Sequence, residues 1–199
     1  IGPTAARKLG YRIDWQQRTW FSRPVKQVEL AVDSVFILDE GNHLMRVERE
    51  SGRRVWDVPV ADPTDDILAI QLIPALERVF VMTPGEVFVL DSATGSLLDR
   101  QDFTKIAATG PSVHGQFFIY GARNGQLVWR SFMHGTDWRA YEIGPSMSVA
   151  PAYDGQFIVA VAGGGEVMCL HAGSARQVWR RRMLDEVVAS PAIGDGAVF

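Results

Sequence analysis

Short continuous apolar runs separated by tight polar punctuation set the pattern of this chain. The runs at 35–38, 79–82, 117–120 and 157–161 are apolar at every position rather than at every second one. Runs of that length, bounded by turn residues, predict strands buried on both faces. Polar or Gly-rich breaks follow at 39–42, 83–85, 121–125 and 162–165. A further strand comes next, then a turn, then a strand with one large aromatic. The clearest turn is Asp91-Ser92-Ala93-Thr94-Gly95, whose short polar residues suit a tight connection between antiparallel strands. The same shape returns at 47–52 and 169–175. No segment carries the helical period of an amphipathic helix.

These units repeat. Four residues after the end of the turn stands a slot filled by Trp56, Asp99 and Trp179 and, by spacing and flanks, by Trp15 and Trp138, at steps of about 40 residues. Trp138 is placed by its flanks, since it lies three residues after Gly135. Pro111, Pro151 and Pro191 keep the same period, and each opens a similar phrase. Regular short strands at this spacing predict an all-β chain, a β-propeller of four-stranded antiparallel blades. The division is a lead-in at 1–10, a closing strand at 11–15, blades at 25–56, 69–99, 111–138 and 151–179, and the start of another blade at 191–199. A sheet cannot bury both faces alone, so the recurring Trp is expected as a wedge between neighbours, covering about 150–250 Å². Asp99 breaks the series and predicts a second seam packed in another way.

With turns and Trp slots in place, the repeat resembles the PQQ-like, or quinoprotein-type and BamB-like, β-propeller repeat, whose consensus is Ala-x-Asp-x-x-Thr-Gly-x-x-x-Trp. Asp91, Thr94 and Gly95 match its core, Ser51, Gly52 and Trp56 match in one copy, and Ser174 and Trp179 in another. The copy around Phe132 and Gly135 is degenerate. The resemblance implies a ring of about seven or eight blades, of which four are visible here. It therefore implies an incomplete arc, with the 11–15 strand closing a blade begun elsewhere and with self-association of open arcs as one way to complete a ring.

Composition adds exclusions more than assignments. The chain has 199 residues, 47% hydrophobic and 22% charged, with a net charge of −3. That balance gives no electrostatic case for nucleic acid. No apolar stretch approaches the roughly 20 residues of a membrane-spanning helix, and Arg7 and Lys8 precede no apolar core of signal-peptide type. A single Cys169 excludes an internal disulfide. It also excludes the adjacent cysteines that, by the family resemblance, many quinoprotein alcohol dehydrogenases carry.

No catalytic, cofactor-binding or metal-ligating residue is assigned. His43, His114, His134 and His171 lack metal-ligand spacing. The glycines at 163–165 lack the Lys-Ser/Thr of a phosphate loop and align with the hairpin turn at 121–125. Asp62, Asp65 and Asp66 form a candidate interaction loop, with a solvated linker as the plainer reading. Arg180 and Arg182 are expected on one strand face and Arg181 on the other. Trp129 and Phe132 suit either an exposed binding surface or core packing.

The expected function is a non-catalytic scaffold for protein partners in a bacterial cell envelope or periplasm, without a cofactor. The alternatives are part of a quinoprotein dehydrogenase, which would use PQQ and Ca²⁺, and a module that senses a ligand such as a carbohydrate. If the tryptophans are buried wedges, Trp56→Ala or Trp179→Ala destabilises by about 3–5 kcal/mol in denaturant unfolding. A loss under about 1 kcal/mol for both contradicts the slot assignment.

Overall fold

A computed structural model describes residues 2–16, 23–185 and 187–199. The strands are β1 (Val25–Leu30), β2 (Ser34–Asp39), β3 (His43–Glu48), β4 (Arg54–Pro59), β5 (Ala69–Ile73), β6 (Arg78–Met82), β7 (Glu86–Asp91) and β8 (Leu97–Asp102). They continue as β9 (Ser112–His114), β10 (Phe117–Gly121), β11 (Gln126–Ser131), β12 (Thr136–Glu142), β13 (Ala152–Tyr153), β14 (Phe157–Ala162), β15 (Glu166–His171) and β16 (Gln177–Arg182). A short pair, β17 (Ile193–Gly194) and β18 (Ala197–Val198), follows. They assemble into four four-stranded sheets, each joining strands consecutive in sequence, and one two-stranded sheet. The described ladders of the first, third and fourth sheets are antiparallel throughout.

The four apolar runs lie in β2, β6, β10 and β14, the second strand of each sheet, and are buried on both faces except at Phe117 and Phe157. The chain divides into two compact units, residues 1–65, 70–81 and 88–99 in one and 66–69, 82–87 and 100–199 in the other. In the first unit, Val35, Ile37, Met45 and Val47 form a buried cluster with Trp15 against it. A core of the second unit joins Ile119, Leu127 and Trp129 of the third sheet to Ile158, Met168 and Leu170 of the fourth.

The N-terminal segment differs from the sequence expectation. Pro3–Lys8 forms a short helix, α1. It owes its form to local chemistry, with Pro in the first turn and Arg7 and Lys8 at the end where cations suit the helix dipole. Residues 11–16 pair with no ladder partner among the described residues; the closing strand expected at 11–15 would pair with a blade begun elsewhere.

A bulge near the start of the fourth strand corrects one Trp assignment. Arg46 pairs with Trp56 and Val47 with Arg54, which leaves Val55 as the extra residue. Trp129 pairs with Arg139 and Arg130 with Asp137, leaving Trp138. Cys169 pairs with Trp179 and Leu170 with Gln177, leaving Val178. Trp138 is therefore a bulge residue and Arg139 holds the wedge slot. Because the bulge turns its side chain out of the packed face, Trp138 is 47% exposed and stacks on Phe117 at 5.1 Å. The wedge at this seam is Trp129, fully buried on the adjacent strand.

Truncating these two tryptophans should therefore have unequal effects. Trp129→Ala is expected to cost about 3–5 kcal/mol and Trp138→Ala under about 1 kcal/mol by denaturant unfolding.

Candidate functional site

The sites of this protein are built around the turns that close the third and fourth strands. In the second sheet, Asp91 Oδ1 accepts the Ala93 and Thr94 amides, at 3.1 and 2.8 Å, and the Thr94 hydroxyl at 2.8 Å. Bonds from the Thr94 hydroxyl and amide hold the Asp91 carboxyl below its ordinary range. Gly95 follows with φ +75°, a conformation that favours glycine. It also makes room: a Cβ there would lie 2.9 Å from the Trp56 ring resting on the turn.

Each of these turns also offers the carbonyl of its second residue to a donor. Trp15 Nε1 donates to Arg49 O at 2.6 Å and Trp56 Nε1 to Ser92 O at 2.8 Å. Arg46 Nη1 donates to Ser92 O as well. Trp129 Nε1 donates to Ala172 O at 2.8 Å, and Arg139 Nη1 to Ser174 O at 3.3 Å. Arg46–Trp56 and Trp129–Arg139 are cross-strand pairs, so the third sheet places Trp and Arg on the opposite strands from the first. The fourth turn carries Ala175 at φ +52° where the others have glycine. There the Trp approaches from β11 rather than β12, and Ala175 packs in the same buried cluster as Trp129. Trp179 is half-buried and packs on the cluster of Val159, Val161, Val167 and Cys169. Burial pushes the Cys169 thiol up.

The turn of the third sheet is served without tryptophan. Asp99 is solvent-exposed on β8. Gln101 Nε2 donates to Phe132 O at 3.4 Å, and its side-chain oxygen lies 3.3 Å from where a Cβ on Gly135 would stand. Beside it is Arg130, only 1% exposed. Its Nη2 donates to Asp102 O at 2.7 Å, its Nη1 lies 3.4 Å from Asp137 Oδ1, and its guanidinium sits 4.9 Å from the Phe103 ring centre. Its Nε finds no hydrogen-bond partner among the described residues. Asp137 Oδ2 also accepts Thr104 Oγ1 at 2.5 Å and Lys105 Nζ at 3.0 Å. Burial raises the Asp137 carboxyl. Hydrogen bonds from Thr104 and Lys105, with the charges of Lys105 and Arg130, outweigh that and hold it below its ordinary value. Tyr120, packed on Phe103 at 5.0 Å, is pushed upward, chiefly by burial.

Sequence reasoning missed this group, although a signal was present. Five residues before the turn glycine, the other repeats carry Val47, Leu90 and Leu170, and only this one carries an arginine. His114 is a second departure. It aligns with Asp154, whose Oδ1 accepts the Gln156 and Phe157 amides at 2.9 and 2.7 Å. His114 instead reaches the next sheet, where its Nδ1 lies 2.6 Å from the Tyr153 hydroxyl. That hydroxyl donates to Gly155 O at 2.9 Å, so it accepts from His114 Nδ1–H and leaves Nε2 as the free acceptor.

The remaining sequence candidates are structural in placement. Asp62 Oδ1 accepts the Thr64 amide and hydroxyl, at 3.0 and 2.8 Å. Asp65 Oδ2 lies 3.1 Å from the Asp62 amide. Buried Asn42 donates to the carbonyls of Asp62 and Asp65, at 2.6 and 2.9 Å. Asp66 is exposed in the neighbouring segment. Gly163–Gly165 is a 3₁₀ turn between β14 and β15. Arg180 Nε and Arg182 Nε lie 2.8 and 3.9 Å from the two oxygens of Glu166, while Arg181 donates to the Arg180 carbonyl. Trp129 and Phe132 are both core. Among the described residues, no group of three or more His, Cys, Asp or Glu is arranged to hold a metal. A groove of about 1230 Å³ lies in the first unit, where Arg12 faces Asp14 and Arg53 faces Glu48. It is lined by both signs of charge.

Repeated four-stranded antiparallel sheets with this turn-and-wedge packing define a β-propeller of the PQQ-like repeat type. The profile of the family described as "Outer membrane protein assembly factor BamB" matches residues 11–112 and 114–199, and the chain belongs to that family. Among curated proteins, none matches the chain in sequence. Many solved structures share the fold, two of them as follows. BamB from Moraxella catarrhalis superposes with a TM-score of 0.74 at 16% identity, over 94% of this chain and 57% of that one. The computationally designed Ika8 protein superposes at 0.69 and 16% identity, over 87% of this chain and 54% of that one. This chain therefore spans little more than half the length of either.

Removing the Asp137 carboxylate leaves the Arg130 charge buried with one carbonyl partner. Asp137→Ala is expected to destabilise by about 3 kcal/mol. Because the folded carboxyl titrates below its unfolded value of about 3.9, its stabilisation is present above that pH and is lost as pH falls through the folded value. Urea unfolding from pH 7 to pH 2 should therefore show an acid limb in the wild type that is shallower in the variant.

Proposed function

We propose that this chain is a non-catalytic β-propeller scaffold that binds protein partners at the periplasmic side of a bacterial outer membrane and uses no cofactor. The observation that carries this reading is the family match, which covers nearly the whole chain and whose description is that of an outer-membrane protein assembly factor. The geometry supports it. The donors at the seams, Trp56, Arg46, Gln101, Trp129 and Arg130, are bonded to backbone carbonyls, and so hold neighbouring sheets together. Rigid sheets leave their loops and strand ends free to present a binding surface. No helix among the described residues is long and apolar enough to cross a membrane.

The test is photo-crosslinking in the bacterial envelope from a benzoyl-phenylalanine placed at exposed Val32, Met133 or Leu184. Discrete adducts with identified envelope proteins are expected from at least one position. Their absence from all three overturns the scaffold reading. In parallel, dye-linked alcohol oxidation is expected to stay at background with PQQ and Ca²⁺ added. Stoichiometric quinone binding with turnover would instead establish a dehydrogenase.

A further inference from the structure

Three of the four histidines and the exposed Trp138 lie at one end of the third and fourth sheets, where strands one and two and strands three and four are joined. Trp138 is out of pattern there. The equivalent bulge residues are Val55 and Val178, and Leu98 stands at the same distance after its turn glycine. Yet the indole is not loose. It stacks on Phe117 at 5.1 Å with planes 29° apart, and the Arg139 guanidinium lies 5.5 Å from its ring centre. Arg139 is itself anchored to Ser174 O. A half-exposed aromatic held between two neighbours has lost its rotamer freedom before any partner arrives, which lowers the entropic cost of binding. Trp and Arg are also the side chains that dominate interface energetics.

The patch continues into a groove. Phe117 pairs with His114 across the ladder, and His114, Gln156, His171, Ser174 and Arg176 line an open depression of about 350 Å³. Gly155 and Gly173 complete the lining and leave its backbone uncovered, and His114 Nε2 lies 3.2 Å from where a Cβ on Gly173 would be. Among the described residues, no carboxylate lines it. The nearest acid in the adjoining turn, Asp154, directs its Oδ1 at two backbone amides. In a chain of net charge −3, this end therefore presents Arg139 and Arg176 with two imidazoles and an aromatic anchor.

We propose that this rim, centred on Trp138, Arg139 and Arg176, is a docking site for an acidic segment of a protein partner. The proposal deepens the scaffold reading and rests on it. Carboxylates of the segment pair with the two guanidinium groups, an apolar side chain covers the indole, and a backbone N–H donates to His114 Nε2. Charge complementarity sets the choice of partner.

The test titrates the isotope-labelled full chain with a blocked heptapeptide of glutamate and phenylalanine, at low salt and neutral pH, against the same peptide with glutamine for glutamate. Shifts are expected at the Trp138 indole N–H and the Arg139 and Arg176 guanidinium signals, and affinity at least ten-fold weaker for the glutamine peptide. Trp138→Ala and Arg176→Glu should each weaken binding by ten-fold or more, with an unchanged melting temperature. Val178→Ala, at the equivalent bulge, should bind as wild type. Equal binding of both peptides, shifts centred elsewhere, or binding to anionic phosphatidylglycerol vesicles in place of the peptide overturns the proposal. If the peptide fails while envelope crosslinks still form, the docking chemistry is wrong and the scaffold stands; if both fail, the scaffold reading falls.

Discussion

A backbone carbonyl at a turn tip needs a donor once packing takes it away from water. The carbonyls of Arg49, Ser92, Phe132 and Ala172 occupy the same place in successive turns, and each receives a side-chain N–H from outside its turn. The wedge is therefore more than apolar area. Tryptophan suits the position because one side chain combines a wide ring with a single N–H donor. Arginine or glutamine supplies the donor without a ring, so the packing around it must change.

The seam of the third sheet illustrates the consequence. With Gln101 as donor, the space beside it holds the buried Arg130, a ring contact with Phe103, and Asp137 fed by Thr104 and Lys105. A buried ion pair of this kind adds little net stability over apolar packing but is costly to break, because either charge left alone is unsolvated. Arg130 and Gln101 thus share one seam, and at the next Trp129 pairs with Arg139, where Trp and Arg exchange strands relative to Arg46 and Trp56. The seams share a hydrogen-bond rule while differing in the residues that meet it.

That variation is also where the surface acquires chemistry. With Trp129 acting as the wedge, the β12 strand is free to carry an arginine in the slot and an aromatic at the bulge. His114 in place of a turn-capping aspartate bends toward Tyr153 and opens the depression beside Gly173. The departures from the repeat, rather than the repeat itself, distinguish one strand end from the others.

The period, the strands buried on both faces and the tight turns were legible in the linear chain, because they depend on local residue type: continuous apolar runs, αL-tolerant glycines and short polar turn formers. So was the unusual character of the seam after Asp99. The tertiary structure decided which aromatic does the wedging. A one-residue bulge, invisible to spacing, turns Trp138 outward and leaves Arg139 in the slot, while Trp129, which sequence reasoning left open between surface and core, is fully buried. Pairing likewise belongs to the tertiary level: residues 11–16 have no ladder partner among the described residues, and a strand exists only with a partner beside it. Strand propensity is written in neighbours along the chain; register, bulges and the donors that reach a turn carbonyl are set by residues far apart in sequence, and only folding brings them within bonding distance.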